Sequence, residues 1–479
     1  MKKYFRILIR ESAPGAIAAV FSILYTLLFN TSLSYMGNSV DNALNLILNK
    51  FLGVLLIVIG KLILAYVLIY GILGFFFFHA IRGLMEWRGV TLRRRYTTII
   101  ASVSVILFTI VTLFRDLVLY PQMYIDSFYL KNPVYRFIQE TLTNNVNPAW
   151  IGGIQIVILV FFGSGFIYRF RSSLSSVINL AEKNKRVTAG LVTAGIVSAV
   201  VCNVSPFTAE TDKRKNVLIL ASDALRPDHM SGYGYRKKTT PTIDTLIAQG
   251  SSYTSVFTMV PRTFPSWVSI LSSSYPYNHT IRNMFPSSAT RNRELVTLPS
   301  ILRNEGYHTA VVGDFAADIF PRIDLGFETV KAPTFDAEVL MEQILLKTHT
   351  LILPYLTNRP GISIFSSIRE FAEFADPRHV TNDMKGEIDR ARKEKRPFFI
   401  TSFYSITHFP FSGPYPYYNE FTDRSVSGPS KYLKNRIVSL KADGKANYDV
   451  GEKEIDHIRS LYDGCLHGFD DSVAEMIGY

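Results

Sequence analysis

Long apolar runs are confined to the first 207 residues of this 479-residue sequence. A helix that crosses the hydrocarbon core of a bilayer needs about 20 mostly apolar residues. Five segments meet that requirement, and they are 14–34, 60–81, 97–118, 149–168 and 188–206. The pattern predicts a multi-pass α-helical membrane domain over residues 1–207, with five transmembrane helices, and a soluble domain over residues 208–479.

Lysine and arginine residues fall unevenly on the two sides of the predicted spans. Fourteen lie in the stretches 1–14, 82–95 and 169–186, whereas eight lie in the other loops, at their membrane edges and in the cluster 213–215. Positive residues favour the cytoplasmic side. We therefore expect a plasma-membrane or inner-membrane protein with a cytoplasmic N-terminus and an extracytoplasmic soluble domain. This distribution accounts for the net charge of +12, so no nucleic-acid partner is expected.

The second half of the sequence alternates strand-like and helical segments. Apolar strand patterns occur at 216–222, 252–260 and 307–313 and in a segment that begins at 396 and runs into His408, and helical patterns occur at 241–250, 263–273, 297–305 and 452–477. Alternating helices and buried strands predict a doubly wound α/β domain. The stretch 332–395 is poorly patterned and is not assigned.

Three polar residues stand at the ends of these elements. Asp223 follows the first strand, and ligands of α/β sheets bind outside the carboxyl ends of the strands. Thr263 begins a helix, where free backbone N–H groups favour an anion. The last predicted strand, which begins at 396, runs into His408. Taken singly, the ordinary alternatives are a helix-capping aspartate, an N-cap threonine and a structural histidine.

Six segments, taken in order, resemble the alkaline phosphatase and sulfatase superfamily. They are SDALRPDHMSGYGY, TTPTIDTLIAQGSSYTSVFT, PRTFPSWVSILSS, TLPSILRNEGYHTAVVG, THFPFSGPYPYY and YDGCLHGFDDSVAEMIG. The resemblance extends from about residue 216 to residue 478, slightly more than half of the chain. It implies an alkaline phosphatase-like fold for the soluble domain.

The nucleophile segment indicates a branch of this superfamily. Classical sulfatases carry a cysteine or serine that is oxidised to formylglycine, with an arginine nearby; here Thr263 and Trp267 occupy those positions. The lysine and histidine that sulfatases carry after the next strand are also absent, since Gly313 is followed by Asp314 and Phe315. Five spans before an external domain with a threonine nucleophile resemble the lipoteichoic acid synthases and the phosphoethanolamine transferases.

The resemblance implies a metal-dependent phosphotransferase. Asp223 and Thr263 would bind one or two divalent ions (Mn, Mg, Zn or Ca), Thr263 would become phosphorylated, and His408 would contact the substrate. The donor would be a membrane phospholipid, and the acceptor would be an extracytoplasmic glycan or lipid. Two alternatives stay open, namely a membrane-anchored hydrolase of phosphate or sulfate esters and a non-catalytic membrane protein.

The metal site that the resemblance implies includes a later strand ending in Asp-His-Gly. The sequence reaches Tyr479 without such a strand. Asp228-His229 and Asp456-His457 do not end apolar strands, so we do not assign them to that site. We therefore expect the domain to be truncated at its C-terminus, as a fragment of a longer product, and this chain to be catalytically weak or inactive by itself.

Overall fold

The structure is a computed structural model that describes residues 10–29, 50–183, 214–334, 336–428, 430–432 and 451–479. The chain divides into two compact units. The first comprises Met1–Asp116, Asn145–Glu210 and Ile344–Ile364. The second comprises Leu117–Asn144, Thr211–Gln343 and Phe365–Tyr479. Each unit therefore includes residues from both sides of position 207.

The first unit is helical. Among the described residues, five α-helices precede the first strand, and they are α1 Ala13–Phe29, α2 Leu52–Trp87, α3 Arg94–Leu119, α4 Pro133–Asn145 and α5 Pro148–Lys183. Helix α4 belongs to the second unit. Among the described residues, Leu52–Trp87, Arg94–Leu119 and Pro148–Ser173 are long and apolar enough to cross a membrane, and α1 is a shorter apolar helix. These helices contain the predicted segments 60–81, 97–118 and 149–168, and they identify the chain as a membrane protein.

The remaining predicted spans are described in part or not at all. The segment 14–34 is helical as far as Phe29, and the segment 188–206 lies outside the described residues. Helix α2 begins at Leu52, before the predicted start at residue 60. The helix runs through Lys61 without a break because neither Gly60 nor Lys61 interrupts its backbone hydrogen bonding.

Glycine pairs allow the helices of this unit to pack closely. A Cβ atom at Gly83 of α2 would lie 1.7 Å from the carbonyl oxygen of Gly165 in α5, and one at Gly15 of α1 would lie 1.8 Å from the carbonyl oxygen of Tyr70 in α2. Small residues at helix crossings let two backbones approach within van der Waals contact. Any larger residue at Gly83 or Gly15 would therefore push the helices apart.

Part of the unassigned stretch belongs to this helical unit. In Ile344–Ile364, the Nδ1 atom of His349 lies 2.9 Å from the hydroxyl of Tyr66 in α2. The hydroxyl of Thr357 donates a 3.0 Å hydrogen bond to Asp116 in α3. The segment also buries apolar side chains, including Ile352, Leu353 and Leu356, so both polar and apolar contacts hold it in this unit.

The second unit is built on a four-stranded parallel sheet. Its strands are β1 Val217–Ser222, β2 His308–Gly313, β3 Thr329–Lys331 and β4 Phe398–Tyr404, in the order β1-β4-β2-β3. The predicted strands at 216–222 and 307–313 are confirmed, and the strand predicted from 396 into His408 is confirmed as far as Tyr404. The strand predicted at 252–260 is wrong: Tyr253, Val256 and Phe257 are exposed and pair with no strand among the described residues. An apolar alternating pattern does not form a strand without such a partner.

Ten further helices complete the described chain. They are α6 Pro241–Gln249, α7 Thr263–Ser272, α8 Pro276–His279, α9 Ser288–Arg291, α10 Leu298–Asn304, α11 Ala337–Thr348, α12 Arg359–Ile364, α13 Pro377–Glu394, α14 Tyr417–Glu420 and α15 Glu452–Ile477. The residues that predict helix ends from the sequence are observed as caps most clearly at α10. At α10, Thr297 and Ser300 form a reciprocal capping box, and Gly306 after the helix adopts a φ of +84° that a side chain would disfavour.

Helices cover both faces of the sheet. Successive side chains of a strand point to opposite faces. Phe399 and Phe403 of β4 accordingly pack with α7, whereas Ile400 and Tyr404 pack with α13 and α15. This arrangement confirms the doubly wound α/β fold predicted for the second half of the chain.

Two carboxylates of α15 hold the segment that follows β1. Asp470 accepts hydrogen bonds of 2.9 and 2.8 Å from the backbone N–H groups of Thr242 and Ile243, at the start of α6. The fully buried Asp463 accepts a 2.7 Å bond from Lys237, and its other oxygen lies 2.7 Å from Nδ1 of His229. Helix α15 therefore fixes the position of the chain beyond Asp223.

Replacement of Asp463 by asparagine removes a buried charge that pairs with Lys237 and His229. We expect the thermal unfolding midpoint of the detergent-solubilised protein to fall by several degrees, because breaking a buried ion pair costs roughly 3 kcal/mol. The control is Asp456→Asn on the same helix, whose side chain is 70% exposed. This substitution is expected to stay within about 0.5 kcal/mol of the wild type. Equal midpoints for the two variants would contradict the anchoring role of Asp463.

Candidate functional site

Three neighbouring strands end at the same edge of the sheet. Asp223 follows β1, Asp314 follows β2, and the segment 405–408 follows β4, which lies between the other two. The register aligns Ser222 with Tyr404 and Gly313 with Phe403. The two aspartates therefore leave the sheet at nearly the same level, at the carboxyl edge where parallel α/β sheets bind their ligands.

The turn after β4 is hydrogen-bonded to the turns on both sides of it. The hydroxyl of Thr407 donates a 2.6 Å bond to the carbonyl oxygen of Asp223, and the backbone N–H of Asp223 donates a 2.8 Å bond to Tyr404. On the other side, the N–H of Ala316 donates a 2.9 Å bond to the hydroxyl of Ser405. These bonds fix the backbone at each strand end, so the side chains are presented from a rigid edge.

Thr263 lies beside Asp223, at the start of α7. The N-cap of α7 is Arg262 and Thr263 is the first helical residue, so the threonine hydroxyl is not used as a helix cap. Burial raises the pKa of Asp223, while the nearby His408 and the hydrogen bond from the Thr263 hydroxyl oppose that rise. One oxygen of Asp223, Oδ2, is buried and has no hydrogen-bond partner among the described residues.

His408 lies on the open side of the same group. Its Nδ1 atom is 2.6 Å from the carbonyl oxygen of Phe409. A carbonyl oxygen only accepts, so Nδ1 carries a proton and Nε2 is the atom available for substrate. Nε2 lies 3.9 Å from Oδ2 of Asp223, and the side chain is 40% exposed. The structure thus brings together Asp223, Thr263 and His408.

Trp267 takes a packing role where classical sulfatases have an arginine. The side chain is buried, and its ring lies 5.3 Å from that of Phe320 and 5.1 Å from that of Phe403. It secures α7 against the sheet and offers no cation to a bound anion. The helix start that carries Thr263 is therefore held by an aromatic contact.

Asp314 is the residue that the sequence reasoning missed. It is buried beside the site, and burial raises its pKa to about 7, with Asp223 contributing a smaller rise. Its position in the sequence could have identified it as a candidate site residue, because Asp314 follows β2 directly as Asp223 follows β1. In the sequence, Asp314 stood out only because it departs from the residues that sulfatases carry after this strand.

The donor atoms at this edge suit a hard divalent cation. Asp223 offers a buried carboxylate oxygen without a partner, and Thr263 adds a hydroxyl oxygen. Oxygen donors are those that Mg²⁺, Mn²⁺ and Ca²⁺ prefer. Asp223 and Thr263 therefore fit the role of metal ligands.

A second acidic group occurs at the opposite edge of the sheet. Among the described residues, His308, Glu328 and Glu394 have ligand atoms spaced closely enough to hold a metal. Their charges are already paired: His308 lies 2.9 Å from Glu387, and Arg396 lies 2.7 Å from Glu328 and 3.0 Å from Glu394. This cluster is best explained as an ion-pair network at the amino end of β2.

The histidines of the two Asp-His pairs are also engaged in structural bonds. His229 contacts Asp463, as described above, and Nε2 of His457 lies 2.9 Å from the carbonyl oxygen of Lys431. His457 and Asp456 lie within α15, where the helical pattern had placed them. The observed geometry gives neither histidine a place at the carboxyl edge of the sheet.

Comparison with known proteins identifies several relatives of this chain. An N-acetylgalactosamine-6-O-sulfatase of Bacteroides thetaiotaomicron is 27% identical over 132 residues, covering 27% of this chain and 26% of the relative. An N-acetylglucosamine-6-O-sulfatase of the same organism is 26% identical over 139 residues, covering 29% and 24%. The uncharacterized sulfatase YidJ of Escherichia coli is 20% identical over 272 residues, covering 55% and 53%. The chain thus spans between about a quarter and about half of the length of these relatives.

Two solved structures align with larger parts of the chain. The phosphonate monoester hydrolase of Agrobacterium radiobacter aligns with a TM-score of 0.38 at 17% identity, over 55% of this chain and 59% of the other. The integral membrane protein lipooligosaccharide phosphoethanolamine transferase A (EptA) of Neisseria meningitidis aligns with a TM-score of 0.31 at 13% identity, over 97% and 79%.

The family assignment rests on a family model that covers more than half of the sequence. The model described as Sulfatase matches residues 215–479, which include β1, the helix that begins at Thr263, and His408. The matched region contains the whole carboxyl edge described above. The chain belongs to the sulfatase family.

Proposed function

We propose that this protein is a metal-dependent phosphotransferase that moves a phospholipid head group to an extracytoplasmic glycan or lipid through a phospho-threonine at Thr263. The observation that carries the proposal is the buried oxygen of Asp223 without a partner at the carboxyl edge of the sheet, beside the Thr263 side chain, which helps to lower the pKa of that carboxyl. Threonine is not a substrate for oxidation to formylglycine. A sulfatase-family site with threonine as its nucleophile therefore favours phosphoryl transfer. The membrane helices place the donor lipid in the same bilayer as the enzyme.

The proposed reaction consists of two displacements at phosphorus. The oxygen of Thr263 forms a bond to the phosphorus of the lipid head group, and the bond from phosphorus to the diacylglycerol oxygen breaks. A divalent cation bound by Asp223 and Thr263 would supply Lewis-acid stabilisation and favour the ionised hydroxyl. The acceptor hydroxyl then attacks the phospho-threonine, which releases Thr263.

His408 is the residue that we propose for proton transfer. Its Nδ1 proton is held by the carbonyl oxygen of Phe409, which leaves Nε2 facing Asp223 and solvent. Protonated Nε2 would donate to the departing diacylglycerol oxygen, and neutral Nε2 would accept the proton of the incoming alcohol. The same histidine thus serves both displacements.

A hydrolase is the second candidate function, because the curated relatives are named as sulfatases. In that case water replaces the alcohol in the second displacement. The two functions differ in their products, since only the transferase joins the head group to an added glycan or lipid alcohol. Sulfate-ester turnover equal to phosphodiester turnover would favour the hydrolase.

Covalent trapping tests the nucleophile directly. The purified 479-residue protein, incubated in detergent with Mn²⁺ and phosphatidylethanolamine, is expected to gain a phosphoethanolamine adduct that peptide mass spectrometry assigns to Thr263. Because the adduct forms in a single turnover, it can be detected even if the protein turns over slowly. Thr263→Ala should reduce adduct formation at least about a thousandfold, since it removes the attacking atom.

The control for this experiment is Thr245→Ala, which removes an exposed hydroxyl that bonds only to the backbone of α6. It is expected to form the adduct at the wild-type rate. An adduct that persists in Thr263→Ala would refute the proposed nucleophile. No adduct with Mn²⁺, Mg²⁺, Zn²⁺ or Ca²⁺ would favour a non-catalytic binding protein.

His408→Gln separates proton transfer from metal binding. We expect adduct formation to slow by about a hundredfold, within the range of general acid catalysis, while Mn²⁺ affinity stays within about twofold because Asp223 and Thr263 are unchanged. The rates come from quenched time courses, and the affinity comes from calorimetry. Loss of Mn²⁺ binding in this variant would instead assign His408 to the metal site.

The excess of basic residues in the stretches 1–14, 82–95 and 169–186 supports a cytoplasmic N-terminus and an extracytoplasmic second unit. Fusing a reporter enzyme that is active only outside the cytoplasm after Tyr479 is therefore expected to give active reporter. Fusing a fluorescent protein that folds only in the cytoplasm to the same position is expected to give dark cells. The opposite pattern would contradict the proposed orientation.

A further inference from the structure

Asp314 lies two strands away from Asp223 on the same edge of the sheet. Strand β4 separates β1 from β2, so the two aspartates begin about 10 Å apart along the sheet edge, given a spacing of about 4.8 Å between strands. They leave the sheet at nearly the same level, because Ser222 and Gly313 pair with the adjacent residues Tyr404 and Phe403. Two side chains in these positions can extend toward a common ligand above β4.

Asp314 is buried without the partners that buried carboxylates normally have. It is 4% exposed, and neither of its oxygens has a partner with hydrogen-bond geometry, although Ser405 adjoins it. The hydroxyl of Ser405 is already the acceptor for the N–H of Ala316. An ionised carboxylate in such a place costs several kcal/mol unless a counter-charge or a proton compensates it.

Other buried carboxylates in this unit are satisfied by the protein itself. Asp463 bonds Lys237 and Tyr235, Asp376 bonds Tyr120 and Arg378, and Glu387 pairs with Lys331 and His308, within the described residues. Three carboxylate oxygens of the described chain are buried without a partner, and they belong to Asp223 and Asp314. In the described chain, the buried carboxylate oxygens without partners therefore all lie at the carboxyl edge of the sheet.

Buried carboxylate oxygens without hydrogen-bond partners favour a cation as their ligand. The Nε2 atom of His408 lies 3.9 Å from Oδ2 of Asp223 at this edge. A divalent ion would satisfy both carboxylates at once, and oxygen donors of this kind suit Mg²⁺ or Mn²⁺.

We propose that Asp314 is a further carboxylate ligand of the divalent cation that Asp223 and Thr263 hold. This inference rests on the metal dependence in the proposed function and extends it to a residue outside the predicted ligand set. It also explains why an acidic residue follows β2. A carboxylate at this position would attract a cation, and it would repel an anionic head group bound at the end of β2.

Calorimetric titration of Mn²⁺ into the detergent-purified protein tests this role without any catalytic readout. Asp314→Asn is expected to weaken Mn²⁺ binding by at least about tenfold, the lower range for loss of a group that supports a metal site. Asp318→Asn is the matched control from the same segment, since Asp318 is already paired with Arg322 at 3.1 Å. It should bind Mn²⁺ as the wild type does.

Thermal unfolding without metal provides the second readout. The midpoint of Asp314→Asn is expected to equal or exceed that of the wild type, because the variant removes a buried carboxylate without a partner. Asp314→Ser is measured beside it, so that one variant with poor folding does not decide the result. Unchanged Mn²⁺ affinity in either folded variant, or lower midpoints in both, would overturn the proposal and assign Asp314 a structural role.

The same titrations separate this inference from the proposed function. If the wild type binds Mn²⁺ and Asp223→Asn abolishes binding while Asp314→Asn retains it, only the role of Asp314 is overturned. If neither the wild type nor any variant binds Mn²⁺, Mg²⁺, Zn²⁺ or Ca²⁺, the metal dependence of the proposed function fails, and the role of Asp314 fails with it.

Discussion

The hydrogen bonds of the turn after β4 determine how the site is arranged. Thr407 bonds to the carbonyl of Asp223, and Ser405 accepts from the N–H that follows Asp314 by two residues. Because β4 lies between β1 and β2, this one turn links both flanking turns and also positions His408. A parallel sheet with this strand order brings residues that are nearly 200 positions apart in sequence to one edge.

Charge is compensated differently at the two edges of the sheet. At the amino end of β2, His308, Glu387, Glu328 and Arg396 pair with one another, so their charges require no further ligand. At the carboxyl edge, the buried oxygens of Asp223 and Asp314 have no protein partner among the described residues. A protein that leaves buried carboxylates uncompensated loses stability. Such a loss at the end where α/β sheets bind ligands is the physical basis of the proposed metal site.

The sequence was most informative where local signals agreed with the fold. A continuous apolar run predicted β4, which is buried on both faces as strands of a parallel sheet are. A similar run predicted β1, which lies at the edge of the described sheet and is only partly buried. The position of Thr263 followed from the helix pattern, and the roles expected for Asp223, Thr263 and His408 came from the resemblance to a family. The strand predicted at 252–260 was wrong because alternation of apolar and polar residues does not by itself supply a strand to pair with. Asp314 was missed because no sequence pattern reports that a carboxylate is buried without a hydrogen-bond partner.

The most direct measurement of the central claim is anomalous diffraction from crystals of the protein soaked in Mn²⁺. The account predicts one anomalous peak at the carboxyl edge, within coordination distance of Asp223 and Thr263. A peak at His308, Glu328 and Glu394 instead, with none beside Asp223, would contradict the account, because it would move the metal to the opposite edge of the sheet, away from the proposed nucleophile.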